Sequence, residues 1–259
     1  MDLQISGKTA LVFGGSKGMG YAAARQLSLE GVEVVIAART ASTLASAAQQ
    51  IQAETCVPVR YVVADITRQE GRQAAIDACP SLDILITNAD GYPPGDFRDW
   101  DNAKWHAALE MMMLAPIEMI RLVVDGMRSR RFGRIINIVS RSVKAPHAEL
   151  GLSNGARSGL IGFVGGLARQ TVRDNVTINN VLPGAFDTDA QARHIQKLAL
   201  LNGQEFAQVR QDKETQNPAG RFGRPEEMGT LIAYLASVQA GYVTGQSWLM
   251  DGGEYPGLY

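Results

Sequence analysis

The sequence predicts a single α/β domain in which a doubly wound, parallel sheet of seven strands carries helices on both faces. Short apolar runs alternate with segments of helical periodicity along most of the chain, which is typical of parallel strands that are buried on both sides. A glycine-rich stretch joins the first apolar run to the first helical segment. No linker-like tract, low-complexity segment or internal repeat divides the chain, so residues 1–259 are assigned to one domain.

The predicted elements follow this alternation. Strands are expected at Thr9–Phe13, Val32–Ala37, Val57–Val63, Ile84–Thr87, Arg134–Ser140, Thr177–Leu182 and Ser247–Met250. Helices are expected at Gly18–Glu30, Thr43–Glu54, Gln69–Ala78, Asn102–Arg130, Asn154–Arg173 and Glu226–Ala236.

Two long connections, residues 90–100 and 185–222, leave the sheet after the fourth and sixth predicted strands. Ligands of open α/β sheets bind beyond the carboxyl ends of the strands, so both connections are expected to border a ligand cleft. A connection as long as 185–222 in a compact domain usually has a function. We interpret it as a substrate lid, and a surface helix pair with no role in the site is the alternative.

The first predicted strand leads directly into a glycine-rich loop and a helix. A buried strand that turns through glycines into a helix N-terminus is suited to a dinucleotide pyrophosphate, because glycine permits the tight turn and the helix N–H groups face the negative charge. An ordinary glycine-rich turn is the alternative. The loop residues expected to contact a dinucleotide are Gly14, Ser16, Lys17, Gly18, Met19 and Gly20.

Composition excludes several classes of partner. The net charge of -1 gives no reason to expect nucleic acid or an anionic membrane surface. No apolar run approaches the roughly 20 residues that span a bilayer, and the N-terminus lacks a secretion-signal pattern. Cys56 and Cys79 lack metal-ligand spacing and are predicted to be buried apolar residues. We therefore expect a cytoplasmic protein without a metal site.

Several motifs occur in a fixed order along the chain. They are Gly14-x-x-x-Gly18-Met19-Gly20, Asp65 in Val63-Ala64-Asp65-Ile66, Thr87-Asn88-Ala89-Asp90, Pro183-Gly184-Ala185-Phe186-Asp187-Thr188, Gly223-Arg224-Pro225-Glu226-Glu227, and Thr244-Gly245-Gln246 with Asp251-Gly252-Gly253. Through these motifs the chain resembles the short-chain dehydrogenase/reductase family over essentially its whole length. The resemblance implies a Rossmann fold, frequent assembly as a homotetramer (or homodimer), and cofactor contacts at Asp65, Ile66, Asn88, Ala89, Arg157, Pro183, Gly184 and Thr188.

Charge predicts which pyridine nucleotide binds. A site selective for NAD usually ends its second strand in an acid that holds the ribose 2′-OH. Here the second strand ends in Ile36-Ala37-Ala38-Arg39, without an acid. Arg39 can offer a planar fork to a 2′-phosphate, and Lys17 can add a point charge. We therefore predict NADP(H) over NAD(H), with two merely solvated surface cations as the alternative.

The residues that carry the chemistry depart from the pattern of the family. The resemblance implies a Ser at the end of the fifth strand, a Tyr and a Lys four residues apart on the next helix, and an Asn on the preceding helix. Ser140 matches, but Ser153, Arg157 and Met112 stand at the other three positions. A serine hydroxyl is a far weaker acid than a phenol, with a pKa far above neutrality, and is a poor proton shuttle. These departures resemble those of a subgroup similar to 3-oxoacyl carrier-protein reductases.

The leading hypothesis is an NADP(H)-dependent reductase of a small-molecule enone, imine or ketone, whose substrate needs little help from a phenolic acid. Ser140 and Ser153 would hydrogen-bond the substrate, and Arg157 would fix the nicotinamide ribose and stabilise negative charge. Candidate proton donors are Lys144, His147, Asp90, Tyr92 and water. The alternatives are a dehydratase or isomerase in the same pocket, and a catalytically inactive NADP-binding sensor or subunit.

Overall fold

The structure, a computed structural model, describes residues 1–258. Its strands are β1 Thr9–Phe13, β2 Glu33–Ala38, β3 Val59–Val63, β4 Ile84–Asn88, β5 Gly133–Ile138, β6 Val176–Pro183 and β7 Ser247–Met250. They form one sheet in the order β3-β2-β1-β4-β5-β6-β7, and every pairing is parallel. The predicted fold class is confirmed. The strand order reverses between β1 and β4, which is where an open α/β sheet leaves a crevice.

Helices cover both faces of the sheet. They are α1 Gly18–Leu29, α2 Ala41–Thr55, α3 Gln69–Asp77, α4 Asn102–Leu109, α5 Ala115–Ser129, α6 Gly151–Thr171, α7 Asp189–Asn202, α8 Phe206–Gln216 and α9 Pro225–Ala236. Successive residues of β1 point to opposite faces, so Val12 packs in the core under α1, α2 and α9, while Leu11 packs in the core under α3, α5 and α6. This explains why the strands are apolar on both sides.

A ladder of polar side chains crosses the sheet beneath the carboxyl ends of its strands. The Thr87 hydroxyl donates to Asn137 Oδ1 at 2.6 Å, and Asn137 Nδ2 donates to Asn180 Oδ1 at 3.0 Å. Asn180 Nδ2 in turn reaches the Ser247 hydroxyl at 3.3 Å. Each residue stands directly opposite the next in the strand register, from β4 to β7. Because Thr87, Asn137 and Asn180 are almost fully buried, these bonds satisfy groups that water cannot reach.

The helix predicted over Asn102–Arg130 is helical from Asn102 to Ser129, but it is not an α-helix throughout. A π-helical turn, Glu110–Leu114, separates α4 from α5. Pro116 follows this turn and has no N–H to donate to the carbonyl of Met112, so the hydrogen-bond ladder cannot continue unchanged through it. Met112 is buried inside the turn, among apolar residues of α4 and α6.

Two boundaries near the expected active site also differ from the prediction. Strand β5 ends at Ile138, two residues before Ser140. The Ser140 hydroxyl accepts a hydrogen bond from the Ser142 N–H at 3.1 Å and so starts a short 3₁₀ turn, a common role for serine. Helix α6 begins at Gly151 rather than Asn154, which places Ser153 in its first turn.

Residues 185–222 form a helix pair, α7 and α8, rather than an irregular connection. The pair has a small core of its own, built from Ile195, Ala199, Val209 and Phe222. A bridge between Phe186 and Gly223 joins the two ends of the segment. The segment is therefore a compact unit that stands at the edge of the main domain.

Of the two cysteines, Cys79 is buried as predicted, but the prediction for Cys56 is wrong. Cys56 ends α2 in the left-handed conformation, with φ of 58°, and is exposed. Among residues 1–258, no helix has the length and apolarity needed to cross a bilayer. The same residues contain no group of three or more His, Cys, Asp or Glu that could hold a metal ion.

Candidate cofactor and active site

A cleft of about 850 Å³ lies at the carboxyl ends of β1, β2, β4 and β5, where the strand order reverses. Most of the residues that the sequence predicts for the site line this cleft. They are Gly14, Ser16, Lys17, Gly18, Met19, Arg39, Asp65, Ile66, Asn88, Ala89, Arg157 and Thr188. Segments that are far apart in sequence thus meet at one edge of the sheet, as the motif order predicts.

The other predicted site residues do not line the cleft. They are Gly20, Ser140, Ser153, Pro183 and Gly184. Gly20 lies in the first turn of α1, and Pro183 ends β6. Ser153 supports a cleft residue from behind, because it accepts a hydrogen bond from Arg157.

The backbone of the glycine loop leaves no room for side chains at several of its glycines. Gly14 has φ of +65°, and a Cβ there would lie 2.5 Å from Asn88 Nδ2. A Cβ on Gly20 would collide with the carbonyl group of Gly14. Gly18 has φ of +55° and faces Thr188, the first residue before α7. These contacts require glycine and leave an open cradle at the N-terminus of α1, which fits a pyrophosphate.

One end of the cleft is polar and charged. The Asp65 carboxylate accepts hydrogen bonds from the Thr67 hydroxyl at 2.7 Å and from the Thr67 N–H at 2.9 Å. Burial alone would raise the pKa of Asp65, but these hydrogen bonds, with Arg39 and Arg68 nearby, hold it below its ordinary value. Asp65 is therefore a fixed hydrogen-bond acceptor beneath this end of the cleft.

Arg39 reaches across the same end of the cleft. Its Nη2 donates to Asp90 Oδ2 at 2.9 Å, although 67% of the Arg39 side chain and 76% of the Asp90 side chain are exposed. Arg39 directly follows β2, and Asp90 lies two residues beyond β4. The pair therefore passes over the end of β1, which lies between those two strands.

Arg157 lies in the floor of the cleft and is almost fully buried. Its Nη1 donates to the Val139 carbonyl at 2.5 Å, and its Nη2 donates to the Ala89 carbonyl at 3.3 Å. Its Nε donates to the Ser153 hydroxyl at 3.1 Å. Burial lowers the pKa of the Arg157 guanidinium to about 10, and the charge of Asp90 acts in the opposite direction. Arg157 is therefore still a cation at neutral pH, and it ties the ends of β4 and β5 together.

Of the candidate proton donors, Asp90 lines the cleft within the described residues, whereas Tyr92, Lys144 and His147 do not. Tyr92 packs against an apolar cluster between α4 and α6. His147 Nε2 lies 3.2 Å from Arg141 Nη2, and Lys144 Nζ lies 5.9 Å from the centre of the Tyr255 ring. The last two side chains belong to a polar region where the C-terminal segment meets the β5–α6 loop.

Sequence reasoning missed several residues of the cleft. They are Thr43, Arg68, Glu110, Met111, Ile138, Val139, Asp189, Ala190 and Arg193. Arg68 and Arg193 lie three and five residues beyond the predicted contacts Asp65 and Thr188, so counting onward from those motifs could have found them. No sequence signal identifies Ile138 and Val139, because an apolar strand residue looks the same inside the core and at its edge.

A family model described as "short chain dehydrogenase" matches residues 8–199, which include β1, the glycine loop, the cleft and Arg157. The chain belongs to this family. The sequence resemblance is thereby confirmed, and the matched range ends inside α7.

Relatives with established names are similar over almost the whole chain. The 3-oxoacyl-[acyl-carrier-protein] reductase FabG of Vibrio harveyi is 32% identical, over 98% of this chain and 99% of its own length. NADPH-dependent reductase BacG of Bacillus subtilis is 30% identical, over 96% of this chain and 98% of its own length. The structure of L-sorbose reductase from Gluconobacter frateurii with NADPH and L-sorbose has a TM-score of 0.94, 30% identity and full coverage of both chains. The predicted preference for NADP(H) agrees with the coenzyme named for two of these proteins.

Proposed function

We propose that this short-chain dehydrogenase is an NADP(H)-dependent reductase that acts on a small-molecule enone, imine or ketone. The observation that carries the proposal is the cleft at the reversal of strand order, with a glycine cradle at one wall and Arg39 and Lys17 beside it. The absence of an acid from the end of β2 in the sequence adds to it. The reductases to which the chain is similar favour reduction over a dehydratase, isomerase or sensor.

The residues of the cleft fit the coenzyme. The α1 N-terminus with Gly14, Ser16 and Gly18 would hold the pyrophosphate, Arg39 and Lys17 the 2′-phosphate, and Asp65 the adenine. When bound, the coenzyme supplies or accepts a hydride at its nicotinamide ring. Thr188, which faces Gly18, would contact the nicotinamide carboxamide, and helices α7 and α8 would act as the substrate lid.

The buried Arg157–Ser153 pair replaces the Lys and Tyr that the family resemblance leads one to expect. Arg157 supplies a fixed positive charge at the ends of β4 and β5, and it orients the Ser153 hydroxyl by donating to it. Neither group exchanges a proton readily near pH 7. The pocket therefore suits a substrate that needs no phenolic acid, such as an enone that is protonated on carbon by water or an imine that already carries its proton.

A substrate panel tests this proposal. We expect loss of NADPH absorbance with cyclic enones or imines and much slower loss with matched saturated ketones, because only the ketones require a strong proton donor at oxygen. Initial rates with each substrate at saturating NADPH provide the measurement. Faster turnover of ketones than of enones would contradict the expected preference for enones and imines, and NADPH binding with no turnover of any class would favour the sensor.

Ser153→Ala is expected to lower kcat about tenfold while changing the affinity for NADPH little. The change removes the hydroxyl that accepts a hydrogen bond from Arg157 Nε and so fixes this cation in the cleft, and a hydrogen bond with a charged partner is worth about 1.5–3 kcal/mol. Steady-state kinetics with the best substrate of the panel provide the measurement. Ser158→Ala is the matched control, because Ser158 is an exposed serine on the same helix. An unchanged kcat would exclude Ser153 from the reaction.

Arg39→Asp is expected to weaken NADPH binding at least about tenfold, or 1.4 kcal/mol, and to shift the preference toward NADH. The change replaces a guanidinium group that can bind the 2′-phosphate by a carboxylate that repels this phosphate. Fluorescence titration with both coenzymes measures the effect. Arg121→Asp is a suitable control, because 67% of the Arg121 side chain is exposed and it also pairs with an acid, away from the cleft. Unchanged preference would refute the role of Arg39.

We also propose that the chain assembles as a homotetramer or homodimer through α5 and α6. Leu122 on α5 and Phe163 on α6 are each 38% exposed, and a Cβ on Gly162, Gly165 or Gly166 would meet no atom of this chain within 4 Å. Small residues beside exposed apolar ones permit close helix packing between subunits. Sedimentation of the purified protein would determine the number of subunits.

A further inference from the structure

We propose that Asp90 is a specificity-determining residue that weakens the selection of NADP(H) over NAD(H) by neutralising Arg39. The inference rests on the proposed function, since it concerns the coenzyme assigned to the same cleft. Its structural basis is the contact between Arg39 and Asp90, which the sequence of the β2 end or of the glycine loop alone does not predict. Asp90 comes from the end of β4 and occupies the guanidinium that would otherwise be available to a 2′-phosphate.

The contact is a direct, charge-assisted hydrogen bond. Arg39 Nη2 donates to Asp90 Oδ2 at 2.9 Å, and both residues line the cleft. The bond joins the chain after β2 to the chain after β4, across the end of β1, where the glycine loop starts. The pair lines the same cleft as the glycine loop, so a nucleotide that extends from this loop toward the end of β2 approaches Arg39 and Asp90. The pair therefore stands at the position where a nucleotide with a 2′-phosphate and one without it differ.

Asp90 differs from the other acids of the cleft in the partner that it contacts. The cations that line the cleft are Lys17, Arg39, Arg68, Arg157 and Arg193, and the acids are Asp65, Asp90, Glu110 and Asp189. The Asp65 carboxylate accepts a hydrogen bond from Thr67. Glu110 Oε1 lies 3.5 Å from Nη1 of Arg72, a residue that does not line the cleft. Asp90 is the acid in direct contact with Arg39. Removing its charge frees Arg39 and leaves the other cations in place.

The effect on the two coenzymes has opposite signs. A 2′-phosphate that approaches Arg39 must share the guanidinium with Asp90 or displace it, and the carboxylate repels the phosphate at short range. A neutral 2′-hydroxyl can donate to an acid at this position, which is the contact that an acid at the end of the second strand normally makes with NAD. Asp90 thus penalises NADP(H) and favours NAD(H). The protein is expected to bind both coenzymes, with a narrower preference than Arg39 alone would give.

The size of the effect follows from exposure. Arg39 and Asp90 are both mostly exposed, and pairs of this kind have coupling energies of a few tenths to about 1 kcal/mol. A phosphate carries more charge than a carboxylate, so we expect Asp90→Asn to tighten NADPH binding about three- to tenfold. NADH binding should stay the same or weaken. Because exposed charges are screened, the gain for NADPH should be smaller at about 0.15 M than at about 0.01 M salt.

Binding titrations of the full chain test the inference without any need for turnover. Dissociation constants for NADPH and NADH are measured by nucleotide fluorescence for the wild type, Asp90→Asn and the control Asp125→Asn. Asp125 is an acid with 87% side-chain exposure that pairs with Arg128 away from the cleft, so its change removes the same charge from the molecule. A three- to tenfold gain for NADPH in Asp90→Asn, absent from the control and reduced by salt, supports the inference.

The outcomes separate this inference from the proposed function. If the wild type binds NADPH and Asp90→Asn binds it equally well or less well, the role of Asp90 is overturned while the coenzyme assignment stands. The same holds if Asp125→Asn produces an equal gain, since the effect would then reflect net charge alone. If the wild type binds neither coenzyme, the proposed function itself is overturned and this inference fails with it.

Discussion

Arg157→Ala is expected to lower the free energy of unfolding by about 3 kcal/mol and to weaken NADPH binding at least about tenfold. The guanidinium donates to the carbonyls of Ala89 and Val139 and to the Ser153 hydroxyl, and each would lose a partner in the buried floor of the cleft. Unsatisfied buried groups cost about 1–3 kcal/mol each, and water that enters the vacated space recovers part of this. Urea unfolding and NADPH titration measure the two effects.

Two further variants separate charge from geometry at this position. Arg157→Lys keeps the charge but cannot reach several acceptors with one planar group, so we expect it to recover part of the coenzyme affinity and little of the stability. Arg169→Ala is the control, since Arg169 lies on the same helix and is exposed. If Arg157→Ala and Ser153→Ala both left turnover unchanged, the positions carried over from the family would be wrong.

Gly14→Ala is expected to weaken binding of either pyridine nucleotide more than about tenfold and to cost about 2–4 kcal/mol of stability. An alanine at φ of +65° is strained, and its Cβ would lie 2.5 Å from Asn88 Nδ2. The Asn88 side-chain amide must then move, and Asn88 lines the cleft beside the cradle. Calorimetric titration with NADPH and thermal unfolding measure the two effects.

Gly7→Ala provides a matched control for this change. Gly7 has φ of +76°, but a Cβ there meets no atom within 4 Å, and the residue lies before β1 at the opposite edge of the sheet. It should show the backbone strain of about 1–2 kcal/mol without loss of nucleotide binding. Equal coenzyme affinity in Gly14→Ala and Gly7→Ala would mean that the glycine loop does not form the binding site.

The sheet and the cradle could be predicted from sequence because their signals are local. Each strand is a short apolar run, and the requirement for glycine at position 14 follows from a strand that turns at once into a helix. Arg39 can also be identified locally, as the residue that directly follows the second strand. Its partner cannot, because Asp90 lies 51 residues away and only the strand order brings the two together.

Other features depend on contacts that a pattern does not encode. The sequence indicates that Met112 is apolar, but the π-helical turn around it depends on how the chain before Pro116 packs against α6. The apolar residues before Ser140 predict a strand that includes it, whereas its hydroxyl caps the next turn and the strand ends two residues earlier. The spacing of Ser153 and Arg157 predicts that they share one helix face, but their burial and the carbonyl partners of Arg157 depend on the folded structure.

The ladder Thr87–Asn137–Asn180–Ser247 has a consequence for the accuracy of the whole rim of the sheet. If the pairing of any two of these strands slipped by one residue, several buried amide groups would lose their hydrogen-bond partners. The adjoining loops would also shift by about 3.3 Å. A misaligned pairing is therefore unfavourable, because water cannot reach the unpaired groups in the interior. Because the strand register is fixed below the surface, side chains at the rim of the sheet can be substituted without a change in strand pairing.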